Sequence, residues 1–256
     1  MRRVTYSPLN ASLGEIRLIK LLPGSFDDDI DIELVHAPLL DVIEPQYEAL
    51  SYVWGCMENP VSITVHQVKN NRHFQTLSQS LHPLERRPNK LRKASRLVAE
   101  TLSITKNLSV ALRYLRYENS HRVVWCDAIC INQKDDGERS TEVSRIGIIY
   151  SRAQQVIVWL GPEGEDSNLA FDTIRWMGND AKYDHNTASF TFRGGSLMEN
   201  MTSLPMIAVN FKSEWNAINS LFHREWFTRL WYVILSNSAI FTTRELDSLP
   251  VSSPAF

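Results

Sequence analysis

Apolar and polar residues alternate along Glu15-Ile16-Arg17-Leu18-Ile19-Lys20-Leu21-Leu22, ahead of Pro23-Gly24, and again along Ile30-Asp31-Ile32-Glu33-Leu34-Val35. A period of two places successive side chains on opposite faces of a strand. Both stretches therefore predict half-buried strands, paired as a hairpin over Asp27-Asp28-Asp29. Tyr47-Glu48-Ala49-Leu50-Ser51-Tyr52-Val53-Trp54-Gly55 is rich in aromatic and β-branched residues and predicts a central strand ending at the glycine. A short strand over Val61 to Val65 follows.

The pattern then changes period. Leu108, Ala111, Leu112 and Leu115 recur at i, i+3, i+4 and i+7, which predicts an amphipathic helix with Asn107 as its N-cap. Val123-Val124-Trp125-Cys126 and Val156-Ile157-Val158-Trp159-Leu160 are short apolar runs of the kind that buried parallel strands need. Between them Val143, Ile146, Ile149, Tyr150 and Ala153 mark one face of a helix. This is a β-α-β unit, and it predicts two neighbouring parallel strands near the centre of one sheet, joined by a right-handed crossover. Beyond it, Ser167 opens a helix carrying Leu169, Ala170, Thr173, Ile174 and Met177, with Gly178 as its stop. Residues 179–210 read as a loop. Trp215, Ile218 and Phe222 predict one further helix, and Trp226, Phe227, Leu230, Trp231 and Ile234 another.

Two stretches lack such patterning. Residues 67–100 hold Lys69, Arg72, Arg86, Arg87, Lys90, Arg92, Lys93 and Arg96 with few acids, and read as a basic, disordered insertion that stays out of the core, since it cannot offset its own ordering entropy. Residues 236–256 carry no assignable pattern.

Composition narrows the function classes. With 256 residues, 43% hydrophobic and 22% charged, the chain can bury a core of ordinary size. A formal net charge of -2 supplies no field that would draw it onto nucleic acid or an anionic membrane. The N-terminus has no apolar run behind Arg2-Arg3 that would make a secretory signal, and no run approaches the roughly 20 residues needed to span a bilayer. A cytoplasmic location is expected. Cys56, Cys126 and Cys130 form neither a disulfide framework nor a four-ligand metal set, even with His121 nearby, so no metal is expected.

Three blocks resemble the fungal heterokaryon-incompatibility (HET) domain family. They are Tyr47 to Gly55; Trp125-Cys126-Asp127-Ala128-Ile129-Cys130-Ile131-Asn132-Gln133 with Asp136, Glu138-Arg139, Ile149-Tyr150, Ala153 and Val158-Trp159-Leu160-Gly161; and Arg224-Glu225-Trp226-Phe227-Thr228-Arg229-Leu230-Trp231. With Ile16-Arg17-Leu18 and Pro23-Gly24 as lead-in, the resemblance covers residues 15–231. It implies a HET domain over 15–235, an N-terminal extension over 1–14 and a tail over 236–256. It implies an α/β fold, a TIR/flavodoxin-like parallel sheet with helices on both faces, here preceded by an N-terminal β-hairpin extension. The implied role is signalling in nonself recognition and programmed cell death through self-association or protein partners, without nucleic acid or membrane.

The chain departs from the family twice. Where a Gln-Glu pair usually follows the third block, Val233-Ile234-Leu235-Ser236 stands, and the basic residues of 67–100 interrupt a normally short connection. An unspliced intron with a wrong exon end, which would leave the copy truncated, and a genuinely divergent copy both account for this. Some TIR domains cleave NAD, so the alternative activity is an NAD-cleaving hydrolase. The missing glutamate argues against it, and no catalytic residue is assigned.

The candidate ligand-binding residues are Ser51, Trp54, Gly55, Asp127, Asn132, Gln133, Arg139 and Arg229, with an NAD-like nucleotide as the conceivable small ligand. Asp127 follows a buried strand at the end where open α/β sheets bind ligands, but it could equally cap the turn there. Asn132 and Gln133 could face a nucleotide or tie their own loop together, the second being favoured. Glu138-Arg139 opens a helix, where an acid is favourable for dipole reasons alone. Trp54 could stack on a base or sit in the core. No Gly-rich phosphate loop and no nucleophile–base spacing occurs.

Overall fold

The structure is a computed structural model that describes residues 2–39, 46–69, 96–164, 166–184, 189–192, 212–228 and 239–242. The chain divides into two compact units, residues 1–161 with 230–242, and residues 162–229 with 243–256.

The first unit is built on a nine-stranded sheet: β1 (Arg2–Arg3), β2 (Glu15–Leu21), β3 (Asp31–Pro38), β4 (Glu48–Tyr52), β5 (Val61–Lys69), β6 (Arg96–Ile104), β7 (Arg122–Trp125), β8 (Gln155–Trp159) and β9 (Ala239–Thr242), in the order β1-β6-β5-β3-β2-β7-β4-β8-β9. It is mixed. The block β7-β4-β8-β9 is parallel, β2 joins it antiparallel through Ile19↔Val124, and β3 pairs antiparallel with β2 as the alternation predicts. The α/β class is thereby established, and the hairpin continues the sheet. Among its described residues this unit has three α-helices: α1 (Lys106–Leu115), a single turn α2 (Asp127–Cys130) and α3 (Asp136–Ser151). The second unit opens with α4 (Ser167–Asp180).

Several expectations require correction. β7 and β8 are parallel and buried, but they are not neighbours: β4 lies between them, paired with both. A crossover of helix length can step over one strand, and β4, apolar on both faces with Ala49 and Leu50 buried, fills that slot. The N-cap of α1 is Thr105, whose hydroxyl accepts the Leu108 N–H at 3.3 Å, and this frees Asn107 for a different task. The segment 67–100 is not wholly outside the core. β5 runs to Lys69 and β6 starts at Arg96, pairing antiparallel from Val61↔Ile104 to Lys69↔Arg96, with Glu100 fully buried. Residues 70–95 lie outside the described residues. The unpatterned tail supplies β9, parallel to β8 through Ala239↔Val156 and Thr242↔Trp159.

Contrary to the half-buried expectation, β2 is buried on both faces except at Lys20, because it sits mid-sheet. Its polar residues Glu15 and Arg17 are 1% and 1% exposed. The inward face of α3 correspondingly mixes apolar and charged residues, with Ile149 of the expected apolar face fully buried. Glu142 is buried beside Arg145, which also donates to the carbonyls of Gly14 and Glu15, whereas Val143 and Ile148 are exposed.

At the amino ends of the parallel strands, Arg122 on β7 and Gln155 on β8 both donate to the Glu48 carboxylate on β4. Three strand starts are thus fixed by one acid.

In the second unit α4 continues past Gly178 to Asp180. The expected loop contains a hairpin, Ala181–Asp184 with Ser189–Phe192. Trp215, Ile218 and Phe222 lie on α5 (Lys212–Phe222), where Ile218 is buried and Phe222 exposed. Around Trp226 the chain forms a short 3-10 turn, Glu225–Thr228, and the continuation expected through Ile234 lies outside the described residues.

Candidate functional site at the carboxyl ends of the parallel strands

Strands β7, β4 and β8 end side by side, and their side chains stitch the rim together. The chain leaves β4 through Val53, Trp54 and Gly55. Trp54 is 37% exposed, and its indole Nε1 donates to Asp127 Oδ2 at 2.8 Å, linking the end of β4 to the end of β7. Asp127 Oδ1 accepts the Ala128 N–H at 2.7 Å. Asp127 therefore does what an acid at the start of a helical turn does, and it also fixes the Trp54 ring.

On the β8 side, Asn107 Nδ2 donates to the Val53 carbonyl at 2.6 Å while Asn107 Oδ1 accepts from Trp159 Nε1 at 3.0 Å. Gly55 sits at φ +73°, a left-handed conformation that favours glycine, and a Cβ there would lie 3.4 Å from the Asn107 Cβ. The rim from β7 through β4 to β8 is continuous.

The loop after α2 is tied to itself. Gln133 Nε2 donates to the Asp127 carbonyl at 2.8 Å, and Asn132 Oδ1 accepts the Lys134 N–H at 3.3 Å. The Asn132 N–H donates to Glu138 Oε1 at 2.7 Å. Burial would raise the Glu138 carboxyl, but hydrogen bonds from the buried Arg17 and from Asn132 outweigh it and hold the group below the usual carboxylate range.

Trp54, Gly55 and Asp127 come together at the rim, with Asn132 and Gln133 in the adjoining loop. Ser51 does not join them: it is 5% exposed and pairs with Tyr150, whose hydroxyl donates to the Leu50 carbonyl at 3.1 Å. Burial pushes the Tyr150 phenol up. Arg139 is on the exposed face of α3 in an ion pair of 2.9 Å with Asp136, and Arg229 lies outside the described residues.

Burial drives both Cys126 and Cys130 up, Cys130 to about 12, so these thiols stay protonated. Among the described residues no group of three His, Cys, Asp or Glu could hold a metal ion.

Asn107 escapes a sequence reading as a rim residue because its position suits an N-cap, and Thr105 two residues earlier takes that place. Arg17 escapes it because an arginine in an alternating strand reads as solvent-facing.

An α/β module with a parallel core and a tied carboxyl rim is thus in view. The chain matches the family described as Heterokaryon incompatibility protein (HET) over residues 47–234, and it belongs to that family. Among characterised proteins it is similar to the Neurospora crassa "Heterokaryon incompatibility protein 6, OR allele", with 32% identity over 238 residues, covering 85% of this chain and 31% of that protein. The chain thus spans about a third of that relative's length. No solved structure matches the chain. No helix among the described residues is long and apolar enough to cross a membrane.

Proposed function

We propose that this chain is a signalling module of fungal nonself recognition, which on self-association or contact with a protein partner triggers incompatibility-type cell death in the cytoplasm. The observation that carries the reading is its similarity to a heterokaryon incompatibility protein over 85% of its own length but 31% of the relative's, as expected of a module housed in a larger protein. The strand order supports a TIR/flavodoxin-like core. β4 enters between β7 and β8, so the parallel block winds outward both ways from its first strand, in the flavodoxin manner.

The test is inducible expression in a filamentous fungus, with and without fusion to a drug-inducible dimeriser, scored by a vital dye. Death of compartments on dimerisation is expected. Full viability with folded protein present in both arms would sink the reading.

A second reading, NAD cleavage, is favoured by the half-exposed Trp54 ring beside Asp127. Both oxygens of that carboxylate already accept protein hydrogen bonds, which weighs against it. We expect the purified chain to release no nicotinamide from NAD above buffer. Turnover abolished in D127A would replace signalling by hydrolysis.

A further inference from the structure

α2 is four residues long. A single helical turn is poor at sustaining itself, since nucleation is unfavourable, and the carbonyls of a helix's last turn have no partner within it. Here the partners come from the N-terminal segment. Tyr6 Oη donates to the Ile129 carbonyl at 2.9 Å, and Arg17 Nη1 donates to the Cys130 carbonyl at 3.1 Å.

The same guanidinium forks onto Glu138, Nη1 to Oε1 at 2.5 Å and Nη2 to Oε2 at 2.9 Å. Glu138 Oε1 in turn accepts the Asn132 N–H. Three backbone groups between Ile129 and Asn132 therefore end on Tyr6, Arg17 and Glu138.

The N-terminal segment is itself strapped down. The Val4 N–H donates to the Thr101 carbonyl at 3.1 Å and the Thr5 N–H to Glu100 Oε2 at 3.0 Å, both on β6. The Ser7 carbonyl accepts from Arg17 Nη2 at 2.5 Å, the Asn10 N–H donates to Glu15 Oε2 at 2.8 Å, and the Arg17 guanidinium lies 5.0 Å from the Tyr6 ring centroid. The strap runs from β6 to α2 and precedes the family match, which starts at residue 47.

We propose that Arg17, seconded by Tyr6, is the positioning residue of the loop 127–133, so that residues 4–17 are a working part of the candidate site. This rests on reading that loop, with Trp54, as the site. Only an arginine can reach two backbone carbonyls and both carboxylate oxygens at once; a lysine keeps the charge but not the fork.

The test is hydrogen–deuterium exchange on the folded, ligand-free chain and on its Tyr6→Phe and Arg17→Lys variants, with α1 (106–115) and β8 (155–159) as internal references. Useful reporters are the amides of Cys130, Ile131 and Asn132, which donate to Cys126, Asp127 and Glu138. Tyr6→Phe removes one hydrogen bond, so exchange in 127–133 should rise about two- to tenfold. Arg17→Lys should raise it further, with the references unchanged in both. Unaltered exchange in 127–133, or acceleration shared equally by α1 and β8, overturns the proposal. If Arg17→Lys does not fold, Tyr6→Phe decides alone. No partner or nucleotide is present, so failure of the functional reading is a separate result.

Discussion

Asn107 Oδ1 accepts a hydrogen bond of 3.0 Å from the indole of Trp159, and the same amide donates 2.6 Å to the carbonyl of Val53, so one side chain at the start of α1 joins the carboxyl ends of β4 and β8. Trp159 is buried, and an unpartnered buried donor is expensive. Asn107→Ala should therefore cost about 1–3 kcal/mol, which for a chain of this size lowers Tm by several degrees. Trp159→Phe removes the indole N–H but keeps an aromatic ring. In a double-mutant cycle the two changes should couple by at least about 0.5 kcal/mol. Strict additivity in thermal melts would show that the pair is not the source of the loss.

Removing residues 67–100 takes away the β5–β6 register pairs from Gln67↔Val98 to Lys69↔Arg96 entirely, the β6 partners of Val65 and His66, and the buried Glu100 carboxylate that receives the Thr5 N–H. The deletion should destabilise the chain by roughly 3 kcal/mol or more. A circular-dichroism melt unchanged by the deletion would contradict the described strands.

His36 gives stability a pH dependence of known sign. Burial lowers its imidazole below the ordinary value and outweighs the raising pull of Glu15, whose Oε2 lies 3.3 Å from His36 Nδ1. Below about pH 6.5 the unfolded chain takes up a proton that the folded chain resists. The contribution is fully present above that pH and is lost as pH falls through the lower folded value. His36→Asn should flatten the fall in denaturant midpoint between neutral pH and about pH 5. An identical slope in both proteins would remove His36 as the cause.

Of the three cysteines, Cys56 is exposed while Cys126 and Cys130 are buried with thiols pushed up. Iodoacetamide at mildly alkaline pH should add one carbamidomethyl group to the native chain, at Cys56, and three after denaturation. Native labelling at Cys126 or Cys130, read by peptide mass spectrometry, would show that the α2 region opens.

The sequence by itself determined the α/β class and most of the local elements. Alternation in 15–22 and 30–35 produced the β2–β3 pair, apolar runs marked β7 and β8 as buried parallel strands, and the 3.6-residue period placed α1. It also brought out Trp54, Gly55 and Asp127, because strand ends carrying Gly and Asp are visible as local chemistry. Tertiary structure alone decided that β4 separates β7 from β8, since pairing partners depend on which distant strand fills the gap beside each edge. It decided that polar Glu15, Arg17 and Glu142 face inward, because period two or 3.6 assigns faces but not what covers them. The roles of Asn107 and Arg17 arise in the same way. Each bonds to groups more than fifty or more than a hundred residues away in sequence, and such an arrangement exists only once the sheet has set their distances.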